Sequence, residues 1–143
     1  MGGNGLLKEH FKGLDLLATA VVLSDAQGTV VYANNAAEGL LEVSRRSLDG
    51  LALHAFFLEK RQFLSFIEMG MRDPFGVKRQ VFELIRPNGS AEHVHVTLSC
   101  PDLRQDLILI ELREIEQQMK VDREARMLDQ SLANKELIRN LAH

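Results

Sequence analysis

At 143 residues the chain suffices for one ordinary domain and an appendage, and 45% hydrophobic against 26% charged residues is the balance of a soluble globular protein. Seventeen basic residues scattered among 20 acidic ones, for a net charge of −3, exclude a nucleic-acid surface. No apolar run approaches the roughly 18 residues of a membrane span. The single Cys100 excludes an internal disulfide and a cysteine-rich zinc site; with no signal peptide it suits the reducing cytoplasm.

Leu6, Leu7, Phe11, Leu14 and Leu17 fall on one helical face, so residues 1–18 read as an N-terminal amphipathic helix. Ala20 to Asp25 and Gly28 to Ala33 are apolar, β-branched runs around Asp25-Ala26-Gln27-Gly28, where Gly28 can supply the positive φ of a hairpin turn. Asn34 or Asn35 caps a helix through Ala36, Ala37, Leu40 and Leu41, and Ser44 to Leu48 suggests a further short turn. Lys60 to Arg72 gathers Phe63, Phe66, Ile67 and Met71 on one side, and Pro74 ends that helix.

Three strands follow, Val77 to Arg86, Ala91 to Ser99 and Asp106 to Leu112. The first two are joined at Asn88-Gly89, where both turn residues are expected at φ > 0. Along the second, Val94, Val96 and Leu98 alternate with His93, His95, Thr97 and Ser99. The order predicts an α+β fold, a five-stranded antiparallel sheet with helices on one face.

Residues 113–143 carry balanced charges and no Gly or Pro, with Glu116–Lys120 and Asp122–Arg126 as i, i+4 pairs. Val121, Ala125, Leu128 and Leu132 make a coiled-coil seam. A helix of some 30 residues is roughly 45 Å long and projects from a domain of this size. A second copy is its expected partner, giving a parallel homodimer through a long C-terminal coiled-coil helix.

Val22 to Leu41, with its Asp-x-x-Gly turn, the strand ending in Asn34, then Ala36-Ala37 and Leu40-Leu41, followed by Leu48-Asp49-Gly50, resembles a PAS domain. With the Asn88-Gly89 hairpin the likeness covers about residues 10 to 112, the domain itself being 19–112. Glu111 to Gln118 and Glu136-Leu137-Ile138-Arg139-Asn140-Leu141-Ala142-His143 resemble the linker and first phosphotransfer helix of an NtrB-type nitrogen-regulation sensor histidine kinase. That resemblance implies that His143 is the phosphoacceptor, a nucleophilic imidazole near neutral pH. It also implies a response regulator and a PII-type signalling protein as partners of the whole kinase. ATP and Mg²⁺ are expected only with an ATP-binding domain, which these residues do not include, so this chain is expected to be inactive and to need no cofactor. One departure concerns the exit of the domain: Glu111-Leu112-Arg113 stands where many such kinases carry Asp-x-Thr.

Each candidate has a plainer reading beside it. His143 also reads as a surface histidine near a chain terminus. His93 and His95 share a strand face but lack a third ligand, so no metal site is expected. Phe56, Phe57, Phe63, Phe66, Ile67 and Met71 form either an apolar ligand pocket or ordinary core. The alternatives to a kinase module are a small-molecule-binding PAS sensor and a protein-interaction domain of another regulator.

Overall fold

The computed structural model describes residues 11–102 and 106–115, together with Arg126, Gln130, Leu132, Ala133 and Lys135 as separate helical positions. Strands β1 (Ala20–Ser24) and β2 (Val30–Ala33) are joined by a turn whose Asp25 carbonyl accepts from Gly28 N–H at 3.1 Å while Asp25 N–H donates to Thr29 O at 3.0 Å. Gly28 adopts φ 83°, and the Asp25 carboxylate accepts from the N–H groups of Gln27 and Thr29 at 3.0 and 2.9 Å. The later hairpin, between β3 (Lys78–Ile85) and β4 (Ala91–Asp102), repeats this geometry: Gly89 N–H donates to Arg86 O and Arg86 N–H to Ser90 O, each at 2.9 Å.

That second turn corrects the expected one. Gly89 adopts φ 87° but Asn88 is not at positive φ. Pro87 fixes its own φ near −65°, suited to the first central position of a type I turn, with the following glycine forming the bulge. Asn88 contributes through its side chain instead, Oδ1 accepting from Ser90 N–H at 2.9 Å.

Between the hairpins lie α1 (Asn35–Leu41), α2 (Arg45–Leu48) and α3 (Lys60–Arg72). Asn34 caps the first and Ser44 the second through their side chains. A 3₁₀ turn at Leu53–Phe56 was not foreseen; at four residues it is too short to show a periodic pattern. The sheet is completed by β5 (Leu107–Glu114), with strand order β2-β1-β5-β4-β3, so the first and last strands are central neighbours paired antiparallel from Ala20↔Leu112 to Ser24↔Ile108.

One face of the sheet presents Ala20, Val22, Phe82, Leu84, Val94, Val96, Leu98, Ile108, Ile110 and Leu112 to the helices, which answer with Ala37, Leu40, Leu41, Leu48, Phe63, Phe66 and Ile67. This is the α+β sheet with helices on one face. α3 approaches β4 so closely that a methyl group at Gly70 would overlap Leu98. His93 and His95 are exposed on the opposite face, as the alternation requires.

The two ends need separate statements. Of the expected N-terminal helix, the described part is a 3₁₀ turn at Lys12–Leu16, and of its expected apolar face Phe11 and Leu14 are half-buried while Leu17 is exposed. Its first turn has no side-chain cap, Gly13 lies within it, and Asp15 is drawn toward α2. At the other end Leu132 is helical and 53% exposed. Val121, Ala125, Leu128 and His143 lie outside the described residues, and so does most of the expected coiled coil.

Candidate functional site

Asn34 is wholly buried and uses all four of its amide hydrogen-bonding positions. Oδ1 accepts from Val21 N–H and Ala37 N–H, both at 2.9 Å, while Nδ2 donates to Leu14 O at 2.8 Å and Thr19 O at 2.9 Å. One side chain thereby joins the arriving segment, β1 and α1. Beside it, Asp15 accepts from Tyr32 Oη at 2.9 Å, from Asn35 N–H at 3.1 Å and from Arg45 Nη1 at 3.0 and 3.1 Å. Arg45 Nη2 also donates to Asn35 Oδ1 at 2.7 Å.

Burial pushes the Asp15 carboxyl upward, but the hydrogen bonds from Tyr32 and Arg45 and the Arg45 charge together outweigh it and hold the group below the usual carboxylate range. Burial, and then the Asp15 carboxylate, raise the Tyr32 phenol above its ordinary value, so it remains a donor. A cavity of about 750 Å³ adjoins this cluster, lined by Lys12, Asp15, β2 and residues of the α2 region.

The departing strand is held from the other side of the domain. Arg86, at the end of β3, donates from Nε to Leu40 O at 2.7 Å, closing the last turn of α1. Its Nη2 pairs with Glu92 on β4 and lies 3.8 Å from Glu114 Oε1 at the end of β5. Ile115 is buried, and its N–H donates to His93 O at 3.0 Å, so β4 guides the chain one residue past the strand. Glu111, the acid of the departing Glu-Leu-Arg stretch, sits half-buried opposite Val21 and Thr97, and at the exit Glu114 meets the Arg86 cation. A groove of about 500 Å³ lies between the two ends, lined by Ala18 to Ala20, Ala36, Gly39, Leu40 and Leu112 to Glu114.

The six apolar candidates come together. Phe56, Phe57, Phe63, Phe66 and Ile67 are buried, and Met71 packs against them half-buried. Phe57 and Phe63 stack at 4.3 Å between centroids, and Phe82 of β3 meets Phe57, Phe63 and Phe66 at 5.7, 5.3 and 5.5 Å. Cys100 lies half-buried beside α3, its Sγ 3.7 Å from Gly70 O, and burial raises its thiol pKa. Among the described residues no three His, Cys, Asp or Glu side chains converge on a metal-sized point, and no helix is long and apolar enough to cross a membrane.

Sequence reading missed both locks, Asp15, Tyr32 and Arg45 at the arriving segment and Arg86 and Glu92 at the departing one. The only available signal was local: Glu92 pairs with Leu84, which places Arg86 diagonally across from it on the hairpin.

Strand order, one helical face and an arriving and a departing segment on neighbouring central strands define a small α+β module. The chain belongs to the PAS domain family, whose model matches residues 18–124, more than half of its length. A PAS domain from a two-component sensor histidine kinase is 16% identical, over 74% of this chain and 96% of that one, with a TM-score of 0.61. The PAS domain of nitrogen regulation protein NR(II) from Vibrio parahaemolyticus is 23% identical, over 71% and 94%, with a TM-score of 0.60. A third, the PAS domain of a LuxR-family transcriptional regulator from Burkholderia thailandensis in complex with ethanol, is 14% identical over 76% and 96%, with a TM-score of 0.60. These likenesses establish the fold. Comparison with curated proteins gives no match.

Proposed function

We propose that the chain is the sensory and dimerising module of a cytoplasmic two-component sensor histidine kinase of the nitrogen-regulation type. The observation that carries this reading is the Arg86 fork, which ties α1, the β3–β4 hairpin and the end of β5 to one guanidinium where the chain leaves the sheet. A change in helix packing on the sheet would reach residues 113–143 by that route. Two such segments paired through Val121, Ala125, Leu128 and Leu132 would form a two-state element whose crossing or rotation sets the kinase state. In the whole protein His143 would accept phosphate from ATP and pass it to a response regulator, with a PII-type protein as a further partner.

The test is the solution mass of the full chain over a concentration series, beside the chain ended after Glu114. A dimer that becomes a monomer on shortening is expected; a monomer at every concentration contradicts the dimerising role. A second reading, a small-molecule sensor, draws on the ethanol held by the similar LuxR-family domain. Its walls would be Phe56, Phe57, Phe63, Phe66, Ile67 and Met71, with a small apolar ligand displacing part of the ring packing.

A further inference from the structure

The cavity along β2 lies away from the aromatic core and includes none of the six residues just named. β2 is an edge strand, and all four of its residues, Val30 to Ala33, line the cavity. The arriving segment supplies Lys12 and Asp15 to one side, and the α2 region supplies Arg45, Arg46 and Asp49 to the other. At about 750 Å³ its volume falls in the range of small-molecule sites, and it combines an apolar floor with a few charged groups.

The charges do not balance. Three cations and two carboxylates line the space, which leaves one positive charge in excess. Asp15 and Arg45 are committed to each other, and Lys12 and Asp49 also have partners. Arg46 is the lining cation with no hydrogen-bond or ion-pair partner among the described residues. A guanidinium offers two parallel donors, a geometry matched by a planar carboxylate, and Val31, the half-buried residue of β2, offers apolar surface to whatever carries that carboxylate.

We propose that this cavity is a binding site for a small organic carboxylate with an apolar body, its carboxylate on Arg46 and its body against β2. Such a ligand bridges α2 and β2, beside the link that Asp15 and Arg45 make. Its occupancy joins those two elements without entering the aromatic core. The site stands on geometry of its own and does not depend on the kinase reading.

The experiment is a titration of the ¹⁵N-labelled full chain with benzoate, followed by amide chemical shifts, with benzamide and inorganic phosphate as controls. Saturable shifts centred on residues 30–33 and 45–49 are expected, with much weaker responses to benzamide, which lacks the charge, and to phosphate, which lacks the apolar body. Arg46→Gln should weaken benzoate binding about tenfold or more, the worth of one charge-assisted pair. Arg46→Lys should retain part of the affinity, and because Arg46 is exposed both variants should keep the parent spectrum elsewhere. Absence of saturable shifts, shifts centred on α3, equal binding of either control, or benzoate affinity unchanged in Arg46→Gln would each overturn the proposal.

Discussion

The arriving and departing segments flank one another, since β1 and β5 are paired in the middle of the sheet, yet they are fastened in different ways. The arriving segment is fixed by a wholly buried neutral amide with four bonds of 2.8 to 2.9 Å, reinforced by the pairing of Asp15 with Arg45. The departing one runs in the β4 ladder as far as the Ile115 N–H bond to His93 O, and its side-chain fastening is Arg86, whose close partners are Leu40 O and Glu92, with the 38% exposed Glu114 3.8 Å away. A satisfied buried amide has one good arrangement, because any shift leaves polar groups unpaired at full desolvation cost. A half-exposed carboxylate at that distance exchanges protein for water at little cost. The domain thus has an arriving segment fixed by satisfied buried hydrogen bonds and a departing one whose side-chain fastening includes a longer, more exposed ion pair.

Breaking the firm side should have the largest effect. Asn34→Ala removes a helix cap and leaves Val21 N–H and the Leu14 and Thr19 carbonyls short of partners, a loss of about 3 kcal/mol measurable as a fall in the urea midpoint. Asp15→Asn should cost less, about 1 kcal/mol near neutral pH, because the Arg45 contact is partly open to solvent. Its pH dependence is the sharper test. The folded Asp15 carboxyl is held below its unfolded value, so its contribution is fully present above a pH of about 4 and disappears as pH falls through the lower folded value. The stability gap between parent and Asp15→Asn should therefore close on acidification. A gap that stays constant would mean that the carboxylate's charge contributes nothing to the lock.

Much of this frame was legible before any coordinates. β4 follows from a period-two run, the other strands from strand-like runs bounded by turn residues, and α1 from an asparagine ahead of an apolar helical face. Local chemistry dictates those features, so local sequence reveals them. The Asn88 turn was misread because Pro87 constrains the preceding position more strongly than the Asn-Gly pair suggests. The locks were not legible, for a different reason. Arg45 meets Asp15 across 30 positions and Arg86 meets Leu40 across 46, encounters that only the assembled sheet creates. The six apolar candidates were found as a group, but nothing in their spacing identified Phe82 as the ring that Phe57, Phe63 and Phe66 surround.

The difference between the two ends is measured most directly by amide hydrogen exchange in the full chain and in Glu114→Gln. The substitution should leave the unfolding free energy within about 1 kcal/mol of the parent, as for other partly exposed ion pairs. Exchange should change several-fold at the Ile115 amide, which donates to His93 O, and remain as in the parent at Val21 and Ala37, the two held by Asn34. Unchanged exchange at Ile115, or a change shared equally with Val21 and Ala37, would show that Glu114 does not fasten the exit.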